Sequence, residues 1–367
     1  MDVLGGLELA RRPDDPQLRA FDAADVLLLE HLSTVDLSGT VVLLNDRWGA
    51  LTTALAAHSP VSASDSWVAQ ASTRQNLARN GREAELRAVV DGLPERVDVL
   101  VFRVPRTLAL LEHELHLLAP RLHAGSVVIG AGMVKEVHSS TLHTCEQVVG
   151  PTRTSLAVRK ARLIHVAVDP ELVRPVSPWP RIRVLPVDAP AGLAGVPVVH
   201  HAGVFSSEHL DIGTRFLLEH LPRGDGRVVD LGCGDGVLGL AAGLASPQAR
   251  VVLTDESYLA VASAQASWRG VHGDRPVETV VGDGLTGVSG PVDTVLCNPP
   301  FHVGHGVSDA TAWRMFTQAR RALVPGGELW LVGNRHLGHH ARLGRLFGGC
   351  DVVASNAKFV VLRAVAR

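Results

Sequence analysis

Short apolar runs alternate with helical patterns along the second half of this 367-residue chain. The apolar runs are rich in branched residues and bounded by turn residues, which is typical of buried strands. The predicted strands lie at 227–231, 250–254, 278–281, 294–297 and 328–332. The predicted helices lie at 238–244, 258–268, 310–323 and 340–347, and a closing hairpin joins 351–354 to 359–364. Alternation of this kind predicts an α/β domain whose largely parallel sheet is covered by helices.

The first half repeats this pattern in the same order. Three stretches align without gaps, namely 41–51 with 228–238, 64–66 with 254–256, and 97–106 with 292–301. The apolar strand positions persist, but Asn45 and Arg47 stand at two glycine positions and Arg103 stands opposite Asn298. Side chains at 45 and 47 fill space that a bound cofactor needs. We therefore predict a duplication whose first copy kept the fold and lost catalysis. Two unrelated domains of shared architecture are the alternative.

Six prolines between positions 175 and 197 separate the two halves. Proline lacks a backbone donor and disfavours helix, so this stretch predicts a stiff connection, with a hairpin of 182–187 against 196–200. The predicted organisation is a first domain at 1–175, a linker with its hairpin at 176–200, and a second domain at 201–367.

Composition narrows the class of protein. A hydrophobic fraction of 46% and a charged fraction of 20% are typical of a soluble globular protein. The sequence has neither a signal-peptide pattern nor an apolar run that could cross a bilayer, so we expect a cytoplasmic protein without a membrane partner. The four cysteines are far apart and form no C-x-x-C pair, which argues against a bound metal.

Charge is nearly balanced overall and uneven along the chain. The formal net charge is −2, yet from Arg314 onward nine basic residues accompany two acidic ones. A local excess of this kind can hold phosphate groups. A solvated, arginine-rich surface is the alternative interpretation.

A glycine-rich run, Asp-Leu-Gly-Cys-Gly-Asp-Gly at 230–236, follows the first strand of the second half. The glycines allow a sharp turn into a helix and a close backbone approach to a nucleotide-like ligand. Asp230 is placed to meet an ammonium group, and Asp255, about twenty residues beyond the loop, to accept from ribose hydroxyls. Dinucleotide dehydrogenases use a related loop, but Val237 stands where their pattern has a third glycine.

Asn298-Pro299-Pro300-Phe301 follows the fourth strand. An exocyclic amine is a poor nucleophile because its lone pair is delocalised into the ring. The Asn298 side-chain oxygen and the Pro299 carbonyl can orient such an amine towards a methyl donor, and Phe301 offers a stacking face worth about 1–3 kcal/mol. With the glycine loop, this segment predicts methyl transfer from S-adenosylmethionine to an exocyclic nitrogen. A rigid strand-to-loop turn is the alternative.

Two further positions complete the candidate site. Asp283 and Gly284 follow the third strand, where an acceptor can meet an adenine amino group, although Asp-Gly is also a common turn pair. Phe205, in the loop before the first strand, is placed to pack beside the cofactor. The candidate cofactor-binding residues are Phe205, Asp230, Gly232, Cys233, Gly234, Gly236, Asp255, Asp283, Gly284 and Asn298, and the candidate catalytic residues are Asn298, Pro299 and Phe301.

Over nearly its whole length, the chain resembles the tandem-domain ribosomal RNA guanine-N2 methyltransferases. Residues 203–213 resemble their cofactor-lid segment, and residues 230–234 and 298–302 match their two main motifs. The resemblance implies two tandem Rossmann-like class I methyltransferase domains, with a degenerate N-terminal copy that helps to grip RNA. It also implies S-adenosylmethionine as cofactor, N2-methylguanine as product, and ribosomal RNA or an assembling ribosomal subunit as partner. We expect a monomer.

Several stretches are more similar to the large-subunit (23S) enzyme of this family than to the small-subunit (16S) enzyme. They lie at 44–46, 104–112, 138–141, 255–257, 296–302, 334–337 and 358–362. Methylation of 16S rRNA, of an adenine N6 or of a protein glutamine amide are the alternative activities. Relatives with the last two activities usually carry tyrosine in place of Phe301 and lack a degenerate twin domain. A non-catalytic RNA-binding or ribosome-assembly factor is the alternative from a different class.

Overall fold

The structure, a computed structural model, describes residues 4–12, 14, 18–300 and 307–367. Phe301, predicted to stack on the target base, lies outside the described residues. The chain divides into two compact units between Trp179 and Pro180.

The first unit is built on a seven-stranded sheet. Its strands are β1 (Val41–Leu44), β2 (Val61–Ser64), β3 (Glu85–Ala88), β4 (Val99–Arg103), β5 (Val127–Met133), β6 (Thr152–Thr154) and β7 (Ala161–Val166). The strand order is β3-β2-β1-β4-β5-β7-β6. The pairs from β3 to β5 are parallel, and β7 is antiparallel to both of its neighbours. Every residue of β1 and β4 is buried, as expected for central strands covered on both faces.

Helices cover both faces of this sheet. They are α1 (Ala23–Leu32), α2 (Ala50–Ala54), α3 (Trp67–Arg79), α4 (Leu108–Leu118) and α5 (Ser139–Val148), with 3-10 turns at Ala56–His58 and Ala119–Arg121. Alternate residues of one strand face opposite sides, so Val41 and Val42 belong to different apolar clusters on the two sides of the sheet.

The second unit opens with a hairpin. Strand β8 (Arg181–Val184) pairs antiparallel with β9 (Pro197–His200). The sheet that follows contains β10 (Arg227–Leu231), β11 (Arg250–Asp255), β12 (Glu278–Val281), β13 (Val292–Cys297), β14 (Leu323–Asn334), β15 (Asp351–Ser355) and β16 (Phe359–Val365). Its order is β12-β11-β10-β13-β14-β16-β15, which reproduces the order of the first unit strand for strand.

The helices of the second unit are α6 (Ile212–Leu218), α7 (Val237–Ala245), α8 (Tyr258–His272), α9 (Val307–Ala322) and α10 (His339–Phe347), with a 3-10 turn at Arg335–Leu337. All strands and helices predicted for this half are present. The largest differences are at β14, which begins five residues before the predicted 328, and at α8, which ends four residues after the predicted 268. The fold is therefore the predicted α/β class, with two Rossmann-like domains of one topology.

The proline-rich stretch is packed against the second unit. The backbone N–H of Val199 donates to Ser267 Oγ, and that of His201 donates to Ser263 Oγ, each at 2.9 Å. Both serines lie on α8, so the hairpin is anchored to a helix of the second unit.

In both units, a glycine at the start of one helix allows that helix to pack closely against the next helix. Gly49 and Gly236 begin α2 and α7 with φ of 84° and 85°, a region that favours glycine. A Cβ atom would lie 2.5 Å from Thr73 Cα in the first unit and 3.0 Å from Ala264 Cα in the second. This glycine persists in both copies because it lets neighbouring helices pack.

Strand pairing corrects one part of the sequence alignment. The last residue of β1 pairs with Ala63, and the last residue of β10 pairs with Thr254. Ser64, and not Asp65, therefore corresponds to Asp255, so the alignment of 64–66 with 254–256 is wrong by one position. Both side chains accept from the backbone N–H two residues later, at 3.0 Å. The first unit thus has no acid at the position predicted to bind ribose.

Candidate active site

The glycine loop lies between β10 and α7. Gly232 and Gly234 have φ of 73° and 53°, so both adopt the left-handed region. A Cβ atom at Gly232 would lie 3.4 Å from Met315 Cε, whereas one at Gly234 would meet no heavy atom within 4 Å. Gly234 therefore borders open space, and Gly236 serves mainly the packing of α7 on α8.

Cys233 occupies the loop but directs its side chain into the apolar core. Its backbone N–H donates to the Thr254 carbonyl at 3.0 Å, and burial strongly raises the pKa of its thiol. The side chain is thus a buried filler, and only its backbone borders the loop.

Asp230 presents a buried acceptor at the end of β10. The side chain is 1% exposed. Its Oδ2 accepts from the Gly239 N–H at 2.8 Å, and no donor among the described residues reaches its Oδ1. Burial raises the pKa of Asp230, and the nearby Asp235 and Asp255 raise it further. An acceptor of this kind fits the ammonium group of a bound S-adenosylmethionine.

Asp255 ties the end of β11 to the glycine loop. Its Oδ2 accepts from the Gly234 N–H and its Oδ1 from the Ser257 N–H, both at 3.0 Å. Burial raises the pKa of this carboxyl. A carboxylate accepts about four hydrogen bonds, so Asp255 retains lone pairs for a ribose diol.

Asp283 already has a charged partner. The Arg314 Nε lies 3.0 Å from Asp283 Oδ1, and Gln318 Nε2 donates to the Asp283 carbonyl at 3.1 Å. A Cβ atom at Gly284 would lie 1.9 Å from Gln318 Oε1. Helix α9 thus holds the turn predicted to meet the adenine ring. Sequence reasoning missed the contacts of Arg314 and Gln318 with this turn, because they depend on tertiary packing.

Asn298 has an asymmetric environment at the end of β13. Its Nδ2 donates to Asp211 Oδ2 at 3.0 Å and to Thr214 Oγ1 at 2.8 Å. Its Oδ1 is buried, and no donor among the described residues reaches it. Pro299, which follows, is also buried. Among the described residues, Asn298 Oδ1 therefore has no donor, and it can serve as one acceptor of the predicted amine clamp.

Phe205 is 55% exposed in the loop before α6. Its predicted packing beside the cofactor stays a prediction.

The hairpin also contacts the glycine loop. Arg183 Nη2 lies 3.2 Å from Asp235 Oδ2, and Arg183 Nε donates to His200 Nε2 at 3.2 Å. Burial and the arginine lower the pKa of His200 to about 4, so this imidazole is neutral and accepts the hydrogen bond. Sequence reasoning missed these three residues because they are distant in sequence.

The corresponding place in the first unit is filled by its own side chains. Asn45, with φ of 61°, keeps the glycine-like backbone and donates from Nδ2 to Glu114 Oε2 at 2.7 Å. Arg103, 1% exposed, forms ion pairs with Asp22 and Asp25. The predicted loss of the cofactor site agrees with this network.

The described part of the chain contains no cluster of three or more His, Cys, Asp or Glu residues that could hold a metal ion. Within the same residues, no helix has the length and hydropathy needed to cross a membrane.

Comparison with known proteins identifies the family. Residues 3–170 match the RLMG N-terminal domain, and residues 195–363 match the methyltransferase small domain. Ribosomal RNA large subunit methyltransferase G of Streptomyces avermitilis is 58% identical, over 98% of this chain and 97% of that protein. The protein of the same name from Pseudomonas paraeruginosa is 48% identical, again over 98% and 97%.

A solved structure shares the fold of both units. It is a T. thermophilus 16S rRNA N2 methyltransferase in complex with AdoMet and guanosine, with a TM-score of 0.78 and 24% identity over 94% of this chain and 92% of that chain. These matches confirm the resemblance drawn from the motifs. This chain belongs to the ribosomal RNA large subunit methyltransferase G family.

Proposed function

We propose that this chain transfers a methyl group from S-adenosylmethionine to the exocyclic N2 of a guanine in 23S ribosomal RNA. The observation that carries the proposal is the buried Oδ1 of Asn298, which no donor among the described residues reaches. The names of the relatives support the large-subunit substrate, and the guanosine of the T. thermophilus complex supports the base.

The cofactor would be held by the residues at the ends of β10, β11 and β12. Bound S-adenosylmethionine supplies a methyl group activated by a positively charged sulfur. The free Oδ1 of Asp230 would accept from its ammonium group, and the remaining lone pairs of Asp255 from its ribose hydroxyls. The turn at Asp283 and Gly284, braced by α9, would border the adenine ring.

The target amine would be oriented by two acceptors. Asn298 Oδ1 and the Pro299 carbonyl would each accept one N–H of the guanine N2 group. Because both N–H bonds are then fixed, the nitrogen lone pair is directed towards the methyl group. Phe301 is proposed to stack on the guanine once the base has left its helix. As the N–C bond forms, the nitrogen becomes positively charged, and two oxygen acceptors stabilise that charge until a proton leaves.

The first unit and the basic C-terminal region are proposed to bind RNA. The first unit keeps the sheet, but its own side chains fill the position of the cofactor. We therefore propose that its surface binds RNA and takes no part in catalysis. From Arg314 onward, both acidic residues are paired with Arg363 and Arg314 is paired with Asp283, so basic residues outnumber acidic ones in this region. We further propose a cytoplasmic monomer that acts on ribosomal RNA or on an assembling subunit.

Asn298→Ala tests the amine clamp. We expect methyl transfer to fall at least a hundredfold, because an acceptor of the attacking amine is lost, whereas cofactor affinity should stay within threefold. Transfer is measured with radiolabelled cofactor and rRNA, and affinity by calorimetry. Asp225→Ala, which removes an exposed polar side chain from the same unit, is the control. Transfer near the wild-type rate would refute the clamp.

A further inference from the structure

The start of α6 holds the amide of Asn298 by its nitrogen alone. Asp211 Oδ2 and Thr214 Oγ1 accept from Nδ2 at 3.0 and 2.8 Å. These contacts join residues 87 and 84 positions apart in sequence. The oxygen of the same amide is buried and unpartnered among the described residues.

The chemistry of the partners decides which end of the amide faces them. An ionised carboxylate only accepts hydrogen bonds, so Asp211 must face the NH2 group of Asn298. Turning the amide by 180° would place Oδ1 against a negative oxygen and lose a charge-assisted bond. The carboxylate also polarises the amide, which makes Oδ1 a stronger acceptor.

Asp211 is itself fixed. It is the N-cap of α6, and its Oδ2 accepts from the Thr214 backbone N–H at 2.8 Å. One carboxylate oxygen therefore links the helix start to the catalytic amide, and the rotamer of Asp211 is set by the backbone.

The first unit contains the same arrangement at matching positions. Asp22 is the N-cap of α1, and Asp25 follows three residues later, as Thr214 follows Asp211. Both acids bind Arg103, the last residue of β4. The pairing of β4 with β1 and of β13 with β10 aligns Arg103 with Asn298.

The two units share the side chains' role of holding the residue at the strand end, but they differ in whether that residue can accept a hydrogen bond from a substrate amine. In both units, the N-cap side chain and the side chain three positions later bind the residue aligned at the carboxyl end of β4 or β13, which is Arg103 or Asn298. A guanidinium has donors only, so the first unit offers a substrate amine no acceptor there. In the second unit the amide has one acceptor left.

We propose that Asp211, assisted by Thr214, is a positioning residue that fixes the Asn298 amide so that Oδ1 faces the substrate amine. This inference rests on the proposed function, because it needs Asn298 to bind that amine.

The test uses the full-length protein with rRNA and separates positioning from helix capping. Asp211→Asn should lower kcat at least tenfold, because either end of the new amide can face Asn298, while the Kd for S-adenosylmethionine stays within threefold. Asp211→Ser keeps a good N-cap but is too short to reach Asn298. It should retain the melting temperature and still lose kcat. Thr214→Val should lower kcat severalfold.

A double-mutant cycle gives the decisive readout. If Asp211 acts through Asn298, adding Asp211→Asn to Asn298→Ala should change single-turnover methyl transfer less than twofold. Full additivity of the two effects, or a wild-type kcat for Asp211→Ser, would overturn the positioning role. A wild-type rate for Asn298→Ala alone would instead overturn the proposed function, so the two failures are distinguishable.

Discussion

At the scale of single residues, the second unit keeps three acids inside the protein around one loop. Burial raises the pKa of Asp230, Asp235 and Asp255, because the charged form of a carboxyl is costly in free energy where water is excluded. A ligand that brings a positive charge offsets this cost. We therefore expect these acids to lower the stability of the free protein and bound S-adenosylmethionine to offset that loss.

Asp230→Asn tests this trade-off. The change removes a buried charge with almost no change in shape, so we expect the free protein to melt at a higher temperature. Cofactor affinity should fall at least tenfold, because the acceptor of the ammonium group is weakened. Thermal unfolding and calorimetry measure the two effects. Asp225→Asn, exposed in the same unit, is the matched control. An unchanged cofactor affinity would contradict the role given to Asp230.

Residues whose roles follow from their neighbours in sequence can be predicted from the sequence. Residues whose roles depend on contacts with distant parts of the chain cannot. The glycine loop, Asp255 and Asn298 are predictable because a sharp turn, a strand end and a motif determine them. Nothing in the spacing indicates that Asp211 holds Asn298 or that Arg314 pairs with Asp283, since each contact depends on tertiary packing.

At the scale of elements, an ion pair joins the β8–β9 hairpin to the glycine loop and braces it. Arg183 and Asp235 are each 13% exposed in their side chains, and His200 is fully buried between them and α8. The proline content predicted a connection and a hairpin. It could not predict an ion pair with the loop, because that pair depends on how the hairpin packs against the rest of the unit.

Arg183→Met tests this brace. Methionine retains the apolar stem, but Asp235 is left buried without its cation. We expect a loss of about 3 kcal/mol in the free energy of unfolding and weaker cofactor binding. Arg181→Met is the control, because its ion pair with Glu208 is exposed and should contribute less than about 1 kcal/mol. Denaturant unfolding compares the variants. Equal stability of the two would show that the hairpin does not brace the loop.

At the scale of the whole molecule, the two sheets have the same strand order but carry different side chains at the strand ends that form the candidate site. The order of elements was predictable from the repeated apolar pattern. The one-residue slip at Ser64 was not, because strand register is fixed by pairing and not by composition. In the first unit, internal contacts occupy the place that corresponds to the proposed cofactor site, and they include Glu114, whose side chain is fully buried.

Glu114 should give the first unit a characteristic pH dependence. Burial and, to a smaller extent, the nearby Asp65 raise its pKa to about 8, although the hydrogen bond from Asn45 opposes the rise. The folded state therefore holds a proton that the unfolded chain loses above its ordinary pKa near 4.5. This contribution to stability is complete below pH 4.5 and is lost as the pH rises through 8, at up to about 1.4 kcal/mol per pH unit.

Glu114→Gln should remove this slope. Glutamine stays neutral and can still accept from Asn45, so the variant should match the wild type near pH 5 and be more stable at pH 8. Denaturant unfolding between pH 5 and 8.5 measures the difference. Parallel curves for the two proteins would mean that Glu114 does not hold a proton in the folded state.

The most direct test of the proposed activity is the identity of the methylated nucleoside. Purified protein is incubated with S-adenosylmethionine and, separately, with unmodified 23S and 16S rRNA, and the digested nucleosides are analysed by mass spectrometry. We predict N2-methylguanosine from 23S rRNA, at one site, and none from 16S rRNA. N6-methyladenosine, or N2-methylguanosine from 16S rRNA alone, would contradict the account.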